Sequence, residues 1–405
     1  MNLIINNSKN TIRDIILIYL LIGFSVIPFF TDNPINLVIV TVMLFSYSIF
    51  INIKIFDKNS RTLFYLLFIM YIGQIITIGY SVLNIRSITG TFVRFLFPLL
   101  IIKIINKNFF NIFPKVVFFL AIISMIFWIG ENLNSQFSTL IQQISQNLNL
   151  DTENNQNILI YNAKAQSLYG IVRNSGFAYE GGAYSIILII ALIINLVNNG
   201  YRLEKRNILF IVSVITTLST AGIIALIILL YGYLLTTIKN KFFLIIFGSL
   251  FTIAILKFFT SLDFMQEKVQ SQIELTKDQG ETRGRFASGM ADVQTWQSNP
   301  IFGVGKAEEN RYSNFQKGAK THRVNGLAAF LAIFGIFVFI AYLLFLYKSL
   351  RKLNSSVLKN KFFIFSQFLC LLALAFSQIC LQWPIFISLL FLSSITNFNK
   401  IIYEK

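Results

Sequence analysis

Long apolar runs separated by short polar segments dominate this chain. Most of the runs approach the roughly 20 residues that an α-helix needs to cross the hydrocarbon layer of a membrane. The pattern predicts an all-α, polytopic integral membrane protein that forms a single membrane domain over residues 1–405. The twelve predicted spans are 14–30, 35–53, 62–80, 88–106, 116–130, 177–197, 207–219, 221–238, 242–260, 324–347, 362–381 and 385–398.

Two long polar segments, 131–174 and 261–323, interrupt the apolar pattern. Within the first, apolar residues recur at helical intervals and predict an amphipathic helix that lies on the membrane surface. These residues are Phe137, Leu140, Ile141, Ile144 and Leu148.

The distribution of charge predicts the orientation. If the N-terminus is cytoplasmic, the cytoplasmic segments carry twenty Lys and Arg residues against four acidic ones, whereas the rest of the chain carries fourteen basic and thirteen acidic residues. Because cytoplasmic loops are rich in Lys and Arg, we expect both termini in the cytoplasm and both long polar segments outside. The same loops explain a net charge of +17, so no nucleic-acid partner is expected.

Few residues are able to carry out chemistry. The chain has one histidine, His322, and two cysteines, Cys370 and Cys380, which share a late apolar span and are expected to pack there. These residues form no zinc signature, and the chain lacks the glycine-rich motifs that bind nucleotide phosphates. No metal and no cofactor are therefore expected.

Arginines accompany the histidine in the stretch from 281 to 336. Arg283 and Arg285 lie near its start, and Arg323 follows His322 at the mouth of a predicted span. Guanidinium groups match phosphate oxygens and stay charged, which favours recognition of an anionic phosphate group without a metal. The alternatives are a solvated charge pair for Arg283 and Arg285 and a polar cap for His322.

Two more charged residues lie inside predicted spans, and Arg173 precedes one of these spans. Glu180, at the start of the sixth span, needs a partner, which Arg173 or a substrate hydroxyl would supply. Arg94, in the outer third of the fourth span, is either a second phosphate contact or a structural partner of Glu180.

Three stretches, in this order, resemble the superfamily of O-antigen polymerases and O-antigen ligases, which are bacterial membrane glycosyltransferases. They are Arg173-x-x-Gly176-Phe177-x-x-Glu180, then Gly284-Arg285 followed by Asn299-Pro300-x-x-Gly303-x-Gly305, then His322 with Asn325 at the start of a span, followed by Gly335. The resemblance in motif covers about 170–345. Ligases and polymerases share these motifs; the divergent, AT-rich style of the sequence favours a polymerase of the Wzy type.

The resemblance implies a GT-C-type enzyme on the outer face of the bacterial inner membrane. It implies inverting, metal-independent transfer from an undecaprenyl-pyrophosphate-linked oligosaccharide, with Arg173 and Arg285 holding the pyrophosphate and His322 essential. Gly289 stands where the family often has Trp, so Arg283 remains an alternative to Arg285. Arg323 stands where the family often has Asn or Ser, and would add a phosphate contact.

The expected activity is polymerisation of repeat units. A hydroxyl of one lipid-linked unit attacks the anomeric carbon of another, and either His322 or Glu180 takes the proton. Donor and acceptor are both undecaprenyl-pyrophosphate-linked oligosaccharides in the membrane lipid, and the resemblance adds a chain-length regulator and a flippase as partners. The alternatives are an O-antigen ligase that transfers the glycan to lipid A-core, and a transporter of lipid-linked sugars, which would show paired broken helices near mid-membrane.

Overall fold

The computed structural model describes residues 2–79, 85–150, 156–163, 167–168, 171–237, 242, 248–249, 285–307, 324–355 and 361–395. Within these ranges the chain is almost entirely helical, as the apolar pattern predicts. The helices are α1 (Asn2–Val26), α2 (Pro28–Thr31), α3 (Pro34–Phe50), α4 (Lys58–Ile78), α5 (Ile85–Ile105), α6 (Asn108–Leu133), α7 (Ser135–Asn147), α8 (Gly181–Asn198), α9 (Lys205–Thr216), α10 (Thr220–Thr237), α11 (Arg285–Gln297), α12 (Gly326–Asn354), α13 (Lys361–Ser377) and α14 (Pro384–Phe391). Two hairpins pair β1 (Gln156–Asn157) with β2 (Asn162–Ala163) and β3 (Ser167–Leu168) with β4 (Ile171–Val172).

Helix α8 is the centre of the bundle. Every residue from Gly181 to Val197 is buried, and the helix contacts α1, α6, α9 and α10. A helix that is apolar on all sides can be surrounded by other helices without burying an unpaired polar group. The residue that precedes it, Glu180, is therefore positioned by the most enclosed element of the fold.

The outer helices expose apolar side chains, among them Met43, Phe119 and Phe337. Such a surface is expected where the neighbours are lipid tails rather than water. Six of the described helices (α4, α5, α6, α8, α10 and α12) are long and apolar enough to cross a membrane, and α3, α13 and the segment Pro384–Ser394 are shorter apolar helices. Eleven of the twelve predicted spans coincide with a helix, which confirms the polytopic all-α prediction; most of 242–260 lies outside the described residues.

Helix α12 is broken at Gly335, whose backbone (φ 73°, ψ 173°) is not helical. The predicted span 324–347 is therefore two helical pieces. Backbone from another segment pairs with a carbonyl beside the break: the amide of Val304 donates to the carbonyl of Ala332 (2.8 Å). The interior of a membrane offers no water to such carbonyls, so a broken helix there needs this kind of partner.

The segment from Asn299 to Gly305 provides that partner. Gly303 (φ 74°) approaches α12 so closely that a Cβ on it would lie 2.5 Å from the carbonyl oxygen of Ile333. Gln74 of α4 ties the two together, since its Nε2 donates to the carbonyls of Phe302 (2.7 Å) and Ile333 (2.8 Å). A segment that the sequence pattern assigns to the second outer loop is thus packed within the bundle.

The first polar segment carries α7, which confirms the helix predicted from residues 137–148. Phe137 and Ile141 pack with Tyr161 in a small core separate from that of the bundle. The rest of the predicted apolar face is exposed and consists of Leu140, Ile144 and Leu148. This exposed side agrees with a helix that contacts lipid headgroups, which remains a prediction.

Candidate functional site

Arg173 lies in the loop that leads into α8 and is held there by its neighbour. Asn174 is buried: its Oδ1 accepts a hydrogen bond from Ser124 Oγ (2.7 Å), and its Nδ2 donates to Thr216 Oγ1 (3.0 Å). Arg173 Nε donates to the carbonyl of Thr217 (3.1 Å). The guanidinium is therefore fixed against the connection between α9 and α10, with its remaining donors available for a ligand.

Glu180 is the N-cap residue of α8, but its side chain does not cap the helix. Its Oε1 instead accepts a hydrogen bond from Nε2 of Gln378, which directly follows α13. Gly182 leaves space for this contact, since a Cβ there would lie 2.9 Å from Gln378 Nε2. The carboxylate is thus oriented by a helix that is distant in sequence.

Arg285 is the first residue of α11, which packs along α12. Ser288, one turn further on, fixes this packing because its Oγ accepts hydrogen bonds from the amides of Val324 (2.9 Å) and Asn325 (3.3 Å). The start of α11 is therefore tied to the start of α12, where the chain emerges from the segment that contains His322.

The start of α12 also meets the end of α13. A Cβ on Gly326 would lie 1.9 Å from the carbonyl oxygen of Gln378, so these backbones are in direct contact. Gln378 holds Glu180, and Arg285 is anchored to the same end of α12. This arrangement explains how side chains from three distant parts of the sequence meet at one corner of the bundle.

Electrostatic interactions link Arg173, Arg285 and Glu180. Burial lowers the pKa of both arginines, the carboxylate of Glu180 raises the pKa of both, and the charge of Arg285 lowers the pKa of Arg173 further. Guanidinium groups nevertheless remain charged in proteins. Two half-buried cations that repel each other are thus held close together, an arrangement that favours the binding of an anion.

The other predicted site residues are placed elsewhere or are not described. Arg94 lines a groove between α3 and α5, and no ion pair joins it to Glu180 in the described part of the chain. The expectation that Arg94 is the structural partner of Glu180 is therefore replaced by the contact with Gln378. Arg283, His322 and Arg323 lie outside the described residues.

Sequence reasoning missed Gln378 and the anchoring roles of Asn174 and Ser288. One signal for Gln378 was present, because the polar pair Ser377-Gln378 interrupts the apolar run 362–381. Polar residues inside a predicted span usually face other protein rather than lipid. By this principle Gln378 is expected to face protein rather than lipid, as it does in its contact with Glu180.

The fold and the site define a class: a polytopic helical membrane protein that brings two half-buried arginines and a glutamate together at one end of its bundle. The sequence model of the family described as O-Antigen ligase matches residues 207–343, about a third of the chain. The matched segment runs from α9 into α12 and includes Thr217 and Arg285, and it confirms the resemblance to the superfamily of O-antigen ligases and polymerases. Arg173 and Glu180 precede it. No curated protein and no solved structure matches the chain.

Proposed function

We propose that this chain is a surface-polysaccharide polymerase that joins undecaprenyl-pyrophosphate-linked repeat units by inverting, metal-independent glycosyl transfer. The family match supports a membrane enzyme that transfers glycosyl groups, of the ligase or polymerase type. The observation that carries the proposal is the meeting of Arg173 and Arg285 beside Glu180, although the two arginines lie far apart in sequence. A departing diphosphate is the kind of anion that paired guanidinium groups bind.

In this reaction a hydroxyl oxygen of the acceptor forms a bond to the anomeric carbon of the donor. The bond from that carbon to the diphosphate breaks, and its electron pair leaves with the diphosphate. Arg173 and Arg285 stabilise the negative charge that develops there. The proton of the hydroxyl passes to a general base; Glu180 has this role among the described residues, and His322 is the other candidate.

The proposal places the enzyme in the bacterial inner membrane, with both termini cytoplasmic and the arginines at the outer face. The excess of Lys and Arg in the segments at the opposite face supports this orientation. Substrates would then reach the site through a flippase, and a chain-length regulator would limit the product.

An O-antigen ligase is the second candidate, because the matching family carries that description. A ligase would use the same donor and leaving group and differ in its acceptor, which is lipid A-core. The transporter hypothesis predicts paired broken helices. Helix α12 is broken at Gly335, but the break is occupied by the chain's own backbone, since the amide of Val304 donates to the carbonyl of Ala332.

Reconstitution tests the proposal. Purified protein in liposomes, given synthetic lipid-linked repeat units and EDTA, is expected to make a ladder of products longer than one unit. Alanine at His322 is expected to abolish the ladder. Transfer that occurs only when lipid A-core is supplied would identify a ligase, and movement of intact substrate across the bilayer with no new linkage would identify a transporter.

Replacing Gln378 with leucine is expected to slow the transfer about tenfold or more, because a hydrogen bond to a charged group contributes roughly 1.5–3 kcal/mol. Gln378→Glu places a second carboxylate beside Glu180, and like charges disfavour the ionised forms of both. The acidic limb of the pH–rate profile is therefore expected to move to higher pH. Initial rates of ladder formation across pH measure both effects.

The matched control is Gln367→Leu, since Gln367 lies on α13, the helix that Gln378 directly follows, but is hydrogen-bonded to Asn354. That variant is expected to lose stability and keep the wild-type pH profile. Wild-type rates and an unshifted profile in both Gln378 variants would remove Gln378 from the site.

A further inference from the structure

A groove of about 550 Å³ opens on the side of the bundle between α3 and α5. Apolar side chains of both helices line it, including Ile35, Val38 and Val93. Its volume is typical of small-molecule sites, which range over roughly 300–1,000 Å³. Neither arginine of the site described above lines it, so the groove is a separate feature.

Among the described residues, the cations that line this groove are Arg86, Arg94 and Lys306, and none of the described lining residues is acidic. Arg86 and Arg94 make no hydrogen bond or ion pair within the part of the chain that the structure describes. They are eight positions apart on α5, which corresponds to about 12 Å along the helix axis. An unpartnered guanidinium inside a predicted span is unfavourable. We therefore expect Arg86 and Arg94 to bind an anionic ligand.

Gly90 keeps the groove open between the two arginines. It is four positions from each, so the three residues lie on neighbouring turns of one side of α5. A Cβ built on Gly90 meets nothing within 4 Å. A larger side chain at this position would fill the groove without clashing with the backbone around it.

The groove and the Arg173–Arg285 site lie at the same end of the bundle. The amide of Tyr179, which precedes Glu180, donates to the carbonyl of Val26 (3.0 Å). Val26 is the last residue of α1 and lies at the same end of the bundle as the start of α3. Asn299 Nδ2, two residues after the end of α11, donates to Oγ1 of Thr77 (2.7 Å). Thr77 is in the last turn of α4, the helix that precedes α5. Ligands bound in the two places would share one face of the membrane.

We infer that this groove binds the second lipid-linked substrate, with the polyprenyl diphosphate of the acceptor against Arg86, Arg94 and Lys306 and its tail along the apolar wall. The inference rests on the proposed function, because a polymerase holds two lipid diphosphates at once and the Arg173–Arg285 site accounts for one. Charge favours this occupant over a bilayer phospholipid. A diphosphate diester has two anionic phosphates to match Arg86 and Arg94, whereas phosphatidylglycerol has one.

Native mass spectrometry with undecaprenyl diphosphate tests the inference without requiring activity. The wild-type chain is expected to bind two lipids. Arg94→Gln and Gly90→Phe are each expected to weaken one of them about tenfold or more, and Arg285→Ala is expected to weaken the other. Arg61→Gln, at an exposed arginine of α4 that does not line the groove, is the control and should retain both.

Three results would overturn the inference: a single bound lipid in the wild-type chain, two lipids whose affinities neither groove variant changes, or displacement of the second lipid by an equal concentration of phosphatidylglycerol. The last result would identify a general site for anionic lipid.

Kinetics separate this inference from the proposed function. In the groove variants the apparent KM for repeat units is expected to rise about tenfold or more, while kcat at saturating substrate is retained. Wild-type protein that polymerises, with groove variants of unchanged KM, would contradict the groove alone. Protein that binds two lipids and never forms a linkage would contradict the proposed function.

Discussion

Alanine in place of Arg173 or Arg285 is expected to reduce polymer formation by about two to three orders of magnitude, because each change removes a donor that stabilises the departing diphosphate. Both guanidinium groups are half-buried, where charges interact more strongly than in bulk water. Lysine at either position is expected to retain part of the activity, since it keeps the charge and loses the planar, bidentate geometry. Initial rates of ladder formation by reconstituted protein measure these differences.

Inorganic pyrophosphate separates a binding defect from a folding defect. It is expected to raise the thermal midpoint of the wild-type protein, because a ligand that binds the folded state stabilises it, and to have less effect on the arginine variants. Arg61→Ala is the control, since Arg61 is an exposed residue in the first turn of α4. The double alanine variant should lose little more than either single one, because both residues act on one leaving group. Normal ladders from both single variants would exclude this role.

The positions of the helices could be predicted from the sequence because a backbone in lipid must satisfy its own hydrogen bonds, and an apolar run of sufficient length then forms a helix. The arrangement of those helices could not. Helices α8 and α10 are similarly apolar, yet α8 is buried along almost its whole length and α10 is not. Lipid tails solvate apolar side chains as well as protein does, so hydropathy does not distinguish a central helix from a peripheral one.

Only those residues of the candidate site that belong to the sequence motifs could be predicted. Arg173, Glu180 and Arg285 were identified by residue type and resemblance, and the structure brings them together. Gln378 directly follows α13 and lies outside the motifs, so its contact with Glu180 depends on how α13 packs against α12. The hydropathy pattern indicated the depth of Arg94 in the membrane. It did not indicate that Arg94 lines the groove between α3 and α5.

The glycines after Asn299-Pro300 show how a motif can be identified correctly while its physical basis is not. In the sequence they belong to a polar loop beside the arginines. In the structure Gly303 and the distant Gly335 allow two backbones to meet at the break in α12. A tertiary contact between segments thirty residues apart has no local signature, and Gly335 alone reads as an ordinary glycine of a membrane helix.

Gly335→Ala is expected to lower the free energy of unfolding by about 3–5 kcal/mol. The backbone angles at Gly335 (φ 73°, ψ 173°) belong to a region that is almost exclusive to glycine. A Cβ there would also lie 2.2 Å from the carbonyl oxygen of Ile301 and 2.6 Å from the carbonyl carbon of Phe302. These are backbone atoms that cannot rotate away, so the docked segment would have to move. Thermal and denaturant unfolding of detergent-solubilised protein measure the loss.

Gly90→Ala is the matched control, because it makes the same change on α5 at a position where the added Cβ meets nothing within 4 Å. It is expected to be neutral or to stabilise the protein by up to about 1 kcal/mol, since glycine in a helix interior costs conformational entropy. A similar loss in both variants would point to a general intolerance of added bulk in these helices. Wild-type stability in Gly335→Ala would show that α12 can run straight past this point, and the docking of Asn299 to Gly305 against it would then have no physical cause.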